Sequence, residues 1–157
     1  MDSYKRPIQF TYNPDKRLEK ITAFTGQEVR YSYDEHGHLV AVTSPAVTGT
    51  VTGNDFPEGK QWRYTYSHGN ANEALNHNLL TVTAPNEVAG NGPPQITNYY
   101  NEDDRLISQQ WGNTNSSGVS AGGTVYYSRE EQNVGIDPDN VTLAREVVTV
   151  IDRVGNE

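Results

Sequence analysis

The sequence predicts an all-β fold in which repeated antiparallel β-hairpins form a curved segment of sheet. The first observation is a phrase of constant spacing, a tyrosine followed six residues later by a leucine. The second is that aromatic and β-branched residues alternate with polar ones on both sides of Asn, Asp or Gly clusters, which is typical of two strands joined by a turn. Recurrence of such a unit indicates a repeat protein. The pairs are Tyr12 and Leu18, Tyr33 and Leu39, and Tyr100 and Leu106.

The first two hairpins are predicted near residues 8–24 and 29–44. In the second, Val29, Tyr31 and Tyr33 fall on one face of the incoming strand, and the polar residues between them fall on the other. This alternation predicts a sheet with one apolar face.

The turn of the second hairpin runs from Asp34 to Gly37. The Asp34 side chain can accept hydrogen bonds from amides two or three residues on, and Gly37 can adopt a positive φ without steric cost. Strict alternation then assigns the return strand to two faces. It places Leu39, Ala41 and Thr43 on one face and Val40 and Val42 on the other.

The third hairpin is predicted near residues 62–84. Tyr64 and Tyr66 lie in its incoming strand, and its return strand runs from Leu79 to Thr83. An Asn-rich insertion, residues 70–78, separates the two strands and relaxes the regular spacing.

The fourth and fifth hairpins are predicted near residues 96–111 and 124–157. The fifth includes Tyr127 and a long polar loop over residues 130–140. Asp152 and Gly155 near the end of the chain line up with Asp34 and Gly37, so the last residues are expected to form the turn of a further repeat. We therefore expect one segment, residues 1–157, of a longer repeat protein, or a unit that another chain completes.

Three further segments are rich in Gly, Pro, Asn, Ser and Thr, which is typical of loops. They are Ala46–Gly59, Glu87–Pro94 and Asn113–Gly123. All three are predicted to extend outward from the sheet.

Composition excludes several classes of function. A net charge of −8 argues against a nucleic-acid partner, because phosphate binding needs clustered Lys and Arg. No apolar run approaches the roughly 20 residues that would insert into a membrane, and the first residues lack a signal peptide pattern. With 34% hydrophobic residues, the chain suits a sheet with one packed face.

These patterns resemble the RHS or YD repeats of bacterial Rhs proteins, insecticidal toxin-complex subunits and teneurin shells. The resemblance rests on Tyr31-x-Tyr33-Asp34-x-x-Gly37-His38-Leu39, on Tyr100-Asn101-x-x-Asp104-Arg105-Leu106 and on the Asp152-x-x-Gly155-Asn156 ending. The positions assigned to the repeat are Tyr12, Leu18, Tyr31, Tyr33, Asp34, Gly37, Leu39, Tyr64, Tyr66, Tyr100, Asp104, Arg105, Leu106, Tyr127, Asp152 and Gly155.

The resemblance implies a wall segment of a hollow β-sheet shell that in bacterial members encloses a toxic polypeptide. It implies a secreted or cell-surface protein, bacterial in origin, whose partners are the remaining repeats of the shell or a complementary chain, and an enclosed toxin. Bacterial shells are processed near an Asp-Pro motif. Asp137-Pro138 lacks the surrounding context of that motif, and is interpreted as a turn.

No motif supports catalysis, so the sequence predicts no enzyme, no catalytic residues and no cofactor. His36 and His38 form a His-x-His pair, and Asp103 with Asp104 forms an acidic pair. We interpret the histidines as turn and strand residues and the carboxylates as turn residues, and predict no metal site from either.

The tyrosines have two interpretations. In the first they stack as cross-strand ladders along one face; in the second they form an exposed surface that, with Trp62 and Trp111, stacks against sugars or grips a polypeptide. The ladder interpretation covers Tyr12, Tyr31, Tyr33, Tyr64, Tyr66, Tyr99, Tyr100, Tyr126 and Tyr127.

Three hypotheses of function follow. The first is a non-enzymatic shell segment that encloses or presents a polypeptide toxin or cell-surface domain. The second is an extracellular adhesion or carbohydrate-binding module, whose partner would be a glycan. The third is a self-assembling β-repeat unit that pairs through open sheet edges.

Overall fold

The computed structural model describes residues 6–112, 122–132, 145–152 and 156. These residues form one open antiparallel sheet of ten strands, and the order of the strands across the sheet is their order along the chain. The strands are β1 (Gln9–Tyr12), β2 (Leu18–Thr22), β3 (Glu28–Tyr33), β4 (Leu39–Thr43), β5 (Gln61–Tyr66), β6 (Leu79–Thr83), β7 (Ile96–Tyr100), β8 (Leu106–Trp111), β9 (Gly123–Gln132) and β10 (Arg145–Ile151). The prediction of an all-β sheet made of antiparallel hairpins is confirmed.

Consecutive strands pair as the hairpins β1–β2, β3–β4, β5–β6, β7–β8 and β9–β10. Residues 130–132, expected in a polar loop, instead extend β9, where they pair with β10. The rest of that loop, with Asp137-Pro138, lies outside the described residues.

The turns of the first, second and fourth hairpins share one hydrogen-bond frame. The first residue of the turn, Asn13, Asp34 or Asn101, accepts a bond at its side-chain Oδ1 from the amide four residues on, at 2.8–2.9 Å. The fourth residue adopts a positive φ: 63° at Lys16, 90° at Gly37 and 62° at Asp104. An Asx side chain that holds its own turn explains why this position is Asn or Asp.

The third hairpin keeps this frame around a much longer connection. Ser67 takes the first position and Asn78 the last, because the Asn78 amide donates to Ser67 Oγ at 3.0 Å and the Ser67 amide donates to the Asn78 carbonyl at 2.9 Å. His77 occupies the positive-φ position, at 77°. The insertion therefore opens out of the middle of the turn and carries a short 3-10 helix, Glu73–Leu75.

A β-bulge follows the leucine of each of the first four hairpins. Tyr33 pairs with Leu39, but Ser32 pairs with Ala41, so Val40 is an extra residue. The prediction that Leu39 shares a face with Ala41 and Thr43 is therefore wrong: the bulge reverses the alternation, and Val42, opposite Tyr31, shares the face of Leu39. The extra residues of the other three hairpins are Glu19, Leu80 and Ile107.

The pairing register separates two faces. We call the first the aromatic face; it carries Phe10, Tyr12, Leu18, Ile21, Val29, Tyr31, Tyr33, Leu39, Val42, Trp62, Tyr64, Tyr66, Leu79, Val82, Ile96, Asn98, Tyr100, Leu106, Gln109, Trp111, Val125, Tyr127 and Val150. The opposite face, which we call the polar face, carries mostly Thr, Ser, Lys, Arg, Glu and Gln side chains, together with Ala41, Tyr99, Tyr126 and Ile151. Glu28 forms ion pairs with Lys20 and Arg30 on this face, each at 2.8 Å.

Two of the predicted loops fold back instead of extending outward. Val47 and Phe56 exchange backbone hydrogen bonds, and Phe56 is only 8% exposed. The predicted loop over residues 87–94 begins within helix α1 (Pro85–Gly90), because Pro85 is well suited to the first turn of a helix. Phe56 and Val88 line one cleft with polar-face residues, so both connections cover part of the polar face. The third loop is described only from residue 122 onward.

The two residues that flank the predicted turn after β10 are joined by hydrogen bonds, but they lie at the other end of the sheet. The Asn156 amide donates to Asp152 Oδ1 at 2.9 Å, and the Asp152 amide donates to the Asn156 carbonyl at 2.9 Å. β10 runs in the direction of the return strands, so this turn is at the end where hairpins join one another, unlike the turn at Asp34. Gly155 lies outside the described residues.

The described sheet is a single layer. Phe56 is the one hydrophobic side chain that is buried in the described part of the chain, and the aromatic face remains partly exposed, with Tyr12 at 59% and Trp62 at 37%. No described helix is long and apolar enough to cross a membrane.

The turn frame makes a testable prediction at Asp34. Replacing it in Asp34→Ala removes the acceptor of the His36 and His38 amides, and should lower the free energy of unfolding by about 1–2 kcal/mol, since each such bond contributes roughly 0.5–1.5 kcal/mol. Urea denaturation followed by circular dichroism measures the loss.

Asp34→Asn is the matched control, because Asn13 and Asn101 hold the same turn in neighbouring hairpins. The free energy of unfolding should fall less than half as much in Asp34→Asn as in Asp34→Ala. Equal losses in the two variants would mean that the turn does not depend on the side-chain acceptor.

Candidate functional site

The hairpins are joined by a tyrosine hydroxyl that crosses from each repeat to the one before it. Tyr33 donates to the Leu18 carbonyl at 2.9 Å, and Tyr66 donates to the Leu39 carbonyl at 3.1 Å. Tyr100 donates in the same way to the third leucine carbonyl, that of Leu79, at 3.2 Å. The recurring tyrosine and leucine thus make one contact within a hairpin and a second between hairpins.

The backbone register explains why this second contact is needed. The ladder between β2 and β3 ends at Lys20 and Arg30, and so stops short of Leu18. The ladders between β4 and β5 and between β6 and β7 likewise stop short of their leucines. At the bulged end the hairpins are therefore joined by side chains, and the hydroxyl supplies a donor to a half-buried carbonyl.

The surroundings of Tyr66 and Tyr100 favour the protonated hydroxyl, which is the form that donates. Burial raises the pKa of Tyr66, and the charges of Tyr64 and Asp34 raise it further. Burial and the nearby Asp104 likewise raise the pKa of Tyr100.

A second contact between repeats comes from the last residue of each turn. The Arg17 guanidinium lies 5.8 Å from the centre of the Tyr33 ring. The His38 ring stacks on Tyr66 with centroids 4.5 Å apart. In the third hairpin, Asn78 Nδ2 donates to Asp104 Oδ1 at 2.6 Å. The last residue of a turn thus contacts the following hairpin, whereas the tyrosine hydroxyl contacts the preceding hairpin.

On the aromatic face, strands that carry aromatic side chains alternate with strands that carry aliphatic ones. Odd-numbered strands bring most of its aromatic side chains and even-numbered strands mainly aliphatic ones, so Tyr31 pairs with Val42 and Tyr64 with Val82. The predicted tyrosine-on-tyrosine ladder is therefore wrong in its pairing: each ring packs between aliphatic neighbours, a favourable cross-strand combination. Tyr99 and Tyr126 are not on this face at all, because they alternate with Tyr100 and Tyr127.

The predicted repeat positions divide between this face and the turns. The aromatic face holds Tyr12, Leu18, Tyr31, Tyr33, Leu39, Tyr64, Tyr66, Tyr100, Leu106 and Tyr127, and also Trp62 and Trp111. The turns hold Asp34, Gly37, Asp104, Arg105 and Asp152. Trp62 is more open to solvent than Trp111, which pairs with Ile96 and is half-buried.

Sequence reasoning missed the buried Asn98 and the meeting of the four histidines, of which it considered only His36 and His38 as a pair. Asn98 is only 7% exposed although it lies on the aromatic face; it donates to the Leu79 carbonyl and accepts from Gln109, each at 2.9 Å. The four histidines of the chain, His36, His38, His68 and His77, line a common cleft. The signal in the sequence is that Ser67 and Asn78 can close the long insertion with the hydrogen bonds of a tight turn, which places His68 and His77 beside the turn of the second hairpin.

Residues 12–46 match the family model of the RHS Repeat. This part of the chain is similar to an RHS repeat. The matched range contains the first two Tyr and Leu pairs, both tight turns and the first hydroxyl contact between hairpins. No curated protein matches the chain.

The RHS repeat extends in structural terms beyond the matched range. The third and fourth hairpins reproduce the bulge after leucine and the hydroxyl contact to the preceding hairpin. The fifth departs from the pattern, since β9 and β10 pair without a register shift. The RHS repeat is a structural repeat and not a catalytic one. The contacts between hairpins, which hold successive repeats together, are therefore the features of interest.

The hydroxyl contact predicts the effect of removing one oxygen. Tyr66→Phe loses the bond to the Leu39 carbonyl, and should lower the free energy of unfolding by about 1 kcal/mol, or somewhat more because the buried acceptor is left unpaired. The measurement is urea denaturation of the whole chain.

Tyr64→Phe is the control, since within the described residues the Tyr64 hydroxyl has no hydrogen-bond partner although its ring lies on the same face and strand. It should change stability by less than 0.5 kcal/mol, as is usual where no bond is lost. Similar losses in both variants would refute a specific role for the hydroxyl that crosses between repeats.

Proposed function

We propose that the chain is a non-enzymatic wall segment of a shell built from RHS repeats, secreted or displayed at a cell surface, and that its aromatic face points toward an enclosed polypeptide. The class of cargo that fits the family resemblance is a toxin domain of bacterial origin. The observation that carries the proposal is a single-layer sheet whose aromatic face is covered by nothing in the described structure and is partly exposed.

The two faces differ in a way that favours one orientation. The folded connection around Phe56 and helix α1 lie over the polar face, where they share a cleft with Thr43, Gln61 and Arg63. Among the described residues, no connection covers the aromatic face in this way. A polar face with its own connections suits the solvent side of a wall, and the aromatic face suits the enclosed side.

The sheet also has the geometry of a wall. Each strand pairs only with its neighbours in sequence, so the sheet grows sideways and closes nothing by itself. β1 and β10 are the edges of the described sheet, and further repeats could pair there.

The chemistry of the aromatic face suits a cargo without a fixed sequence. Tyrosine rings offer apolar area, and three of the hydroxyls, those of Tyr33, Tyr66 and Tyr100, are already bonded to leucine carbonyls. Such a surface can contact an unfolded or variable polypeptide over a wide area instead of through one pocket.

The proposal predicts which face is shielded when the segment is part of its shell. The chain has no cysteine, so Ala41→Cys on the polar face and Val42→Cys on the aromatic face give two reporters one residue apart on β4. Within the assembled shell, a bulky maleimide should label Ala41→Cys at least tenfold faster than Val42→Cys.

The isolated segment serves as the reference, because both cysteines should react there at similar rates. Shielding of Ala41→Cys instead would reverse the assigned orientation. Equal labelling of the two positions in an assembly that carries cargo would overturn the proposal that the aromatic face contacts it.

Two alternatives each have an observation in their favour. Trp62 is 37% exposed on the aromatic face, as a stacking surface for a glycan would require. The edge strands favour self-assembly, which light scattering across a tenfold range of concentration would reveal as oligomers or growing polymers. Saturable glycan binding that Trp62→Ala abolishes would support the first alternative, and a stable monomer would exclude the second.

A further inference from the structure

All four histidines of the chain meet in one cleft between the second and third hairpins. The cleft has a volume of about 410 Å³ and is lined by His36, His38, His68 and His77 together with residues of the insertion. Ring centroids are 4.8 Å apart for His38 and His77 and 6.2 Å apart for His36 and His68. Nothing in the repeat frame requires histidines here, because Arg17 and Arg105 occupy the position of His38 in other hairpins.

His38 is held with one ring nitrogen aimed into the cleft. Its Nδ1 lies 2.9 Å from Asp34 Oδ2, and its side chain is only 13% exposed because the ring stacks on Tyr66. A carboxylate only accepts hydrogen bonds, so Nδ1 carries the proton and the lone pair of Nε2 is directed into the cleft. That nitrogen points at His77 Nδ1, 2.6 Å away.

His77 is positioned by the backbone of the third hairpin. It occupies the positive-φ place of the turn, at 77°, and its amide donates to the Ser67 carbonyl at 2.9 Å. His68 follows Ser67 directly and is exposed. Closure of the insertion on its own turn is therefore what brings two histidines of the third hairpin against two of the second.

We propose that this cleft binds one divalent transition-metal ion, such as Zn²⁺ or Ni²⁺, through His38 Nε2 and His77 Nδ1, with His36 or His68 as a third ligand. Neutral imidazole is a preferred ligand of these ions. A carboxylate that accepts from the second nitrogen of a ligating histidine, as Asp34 does, is the usual support of such a ligand.

Binding requires small movements of side chains. Metal–nitrogen bonds of about 2.0–2.1 Å in tetrahedral geometry place two nitrogens roughly 3.3 Å apart, so His77 must move back as the ion replaces the proton shared with His38. No three donor side chains already stand in ligand geometry in the described part of the chain. His36 has a side chain 49% exposed, and such a ring can turn toward the ion at small cost.

The bound ion would join two successive repeats by their turns. It would add to the contacts of Tyr66 with Leu39 and of His38 with Tyr66 at the same junction. This role does not depend on which face of the wall meets a cargo, so the proposal stands apart from that of the enclosed polypeptide.

The test is isothermal titration of the whole chain with ZnCl₂ and, separately, NiCl₂. One ion should bind per chain, and saturation should raise the melting temperature, because the ion binds the folded state preferentially. His38→Arg and His77→Asn should each weaken binding at least tenfold. Both should fold, since arginine occupies the His38 position in other hairpins and asparagine tolerates positive φ, as Asn91 does at 50°.

Two further variants separate a built site from surface binding. Asp34→Asn keeps the turn acceptor but removes the carboxylate, and should weaken binding about tenfold, the effect expected of a supporting residue; unchanged affinity would contradict that role. Asp103→Ala, at an exposed turn carboxylate of the fourth hairpin, should bind as the unmodified chain does.

A third ligand is counted with Cu²⁺ as the probe, since nitrogen hyperfine splitting in its electron paramagnetic resonance spectrum reports the number of bound imidazoles. Three are expected, and two in His77→Asn. Failure of Zn²⁺ and Ni²⁺ to saturate, or affinity unchanged in the combined His38→Arg and His77→Asn variant, would overturn the proposal and leave a histidine cluster joined by shared protons.

Discussion

Within the described residues, the hairpins are held mainly by their neighbours in the sheet, because the sheet has one layer. Backbone ladders supply most of that support, but between repeats they end short of the leucine. The hydroxyl of Tyr33, Tyr66 or Tyr100 takes over at that point. Two contacts thus fix the spacing of tyrosine and leucine: the tyrosine pairs with the leucine of its own hairpin, and its hydroxyl donates to the leucine carbonyl of the preceding hairpin. The bulge after the leucine allows both.

The hairpins could be predicted from the sequence because the information that specifies them is local. An Asx residue, a positive-φ position and a tyrosine paired with a leucine all lie within one turn and its two flanking strands. The assignment of Val29, Tyr31 and Tyr33 to one face of β3 was correct for the same reason, because it depends only on alternation within one strand. The return strand was assigned wrongly because a bulge adds a residue without changing the composition, so Val40 and Val42 look equivalent in the sequence but are not.

Features that depend on several segments could not be predicted in this way. The histidine cleft exists because Ser67 and Asn78 close a long insertion on the same hydrogen bonds that close a tight turn. Phe56 and helix α1 fold over the polar face because an apolar residue and a Pro at a helix start outweigh a loop-like composition. Asn98 is buried at a position where two other repeats have tyrosine, because Gln109 and a carbonyl satisfy its amide.

The strand order, in which each strand neighbours only the strands before and after it in sequence, has a consequence for how the protein forms. Contacts of short sequence separation form early and quickly, because little loop entropy is lost in closing them. Each new hairpin can therefore dock on the last one as the chain leaves the ribosome, without waiting for a distant segment. In a sheet of this topology, the order of the strands is the order of their synthesis, and the sheet can be lengthened during evolution by duplication of a hairpin without redesign of the others.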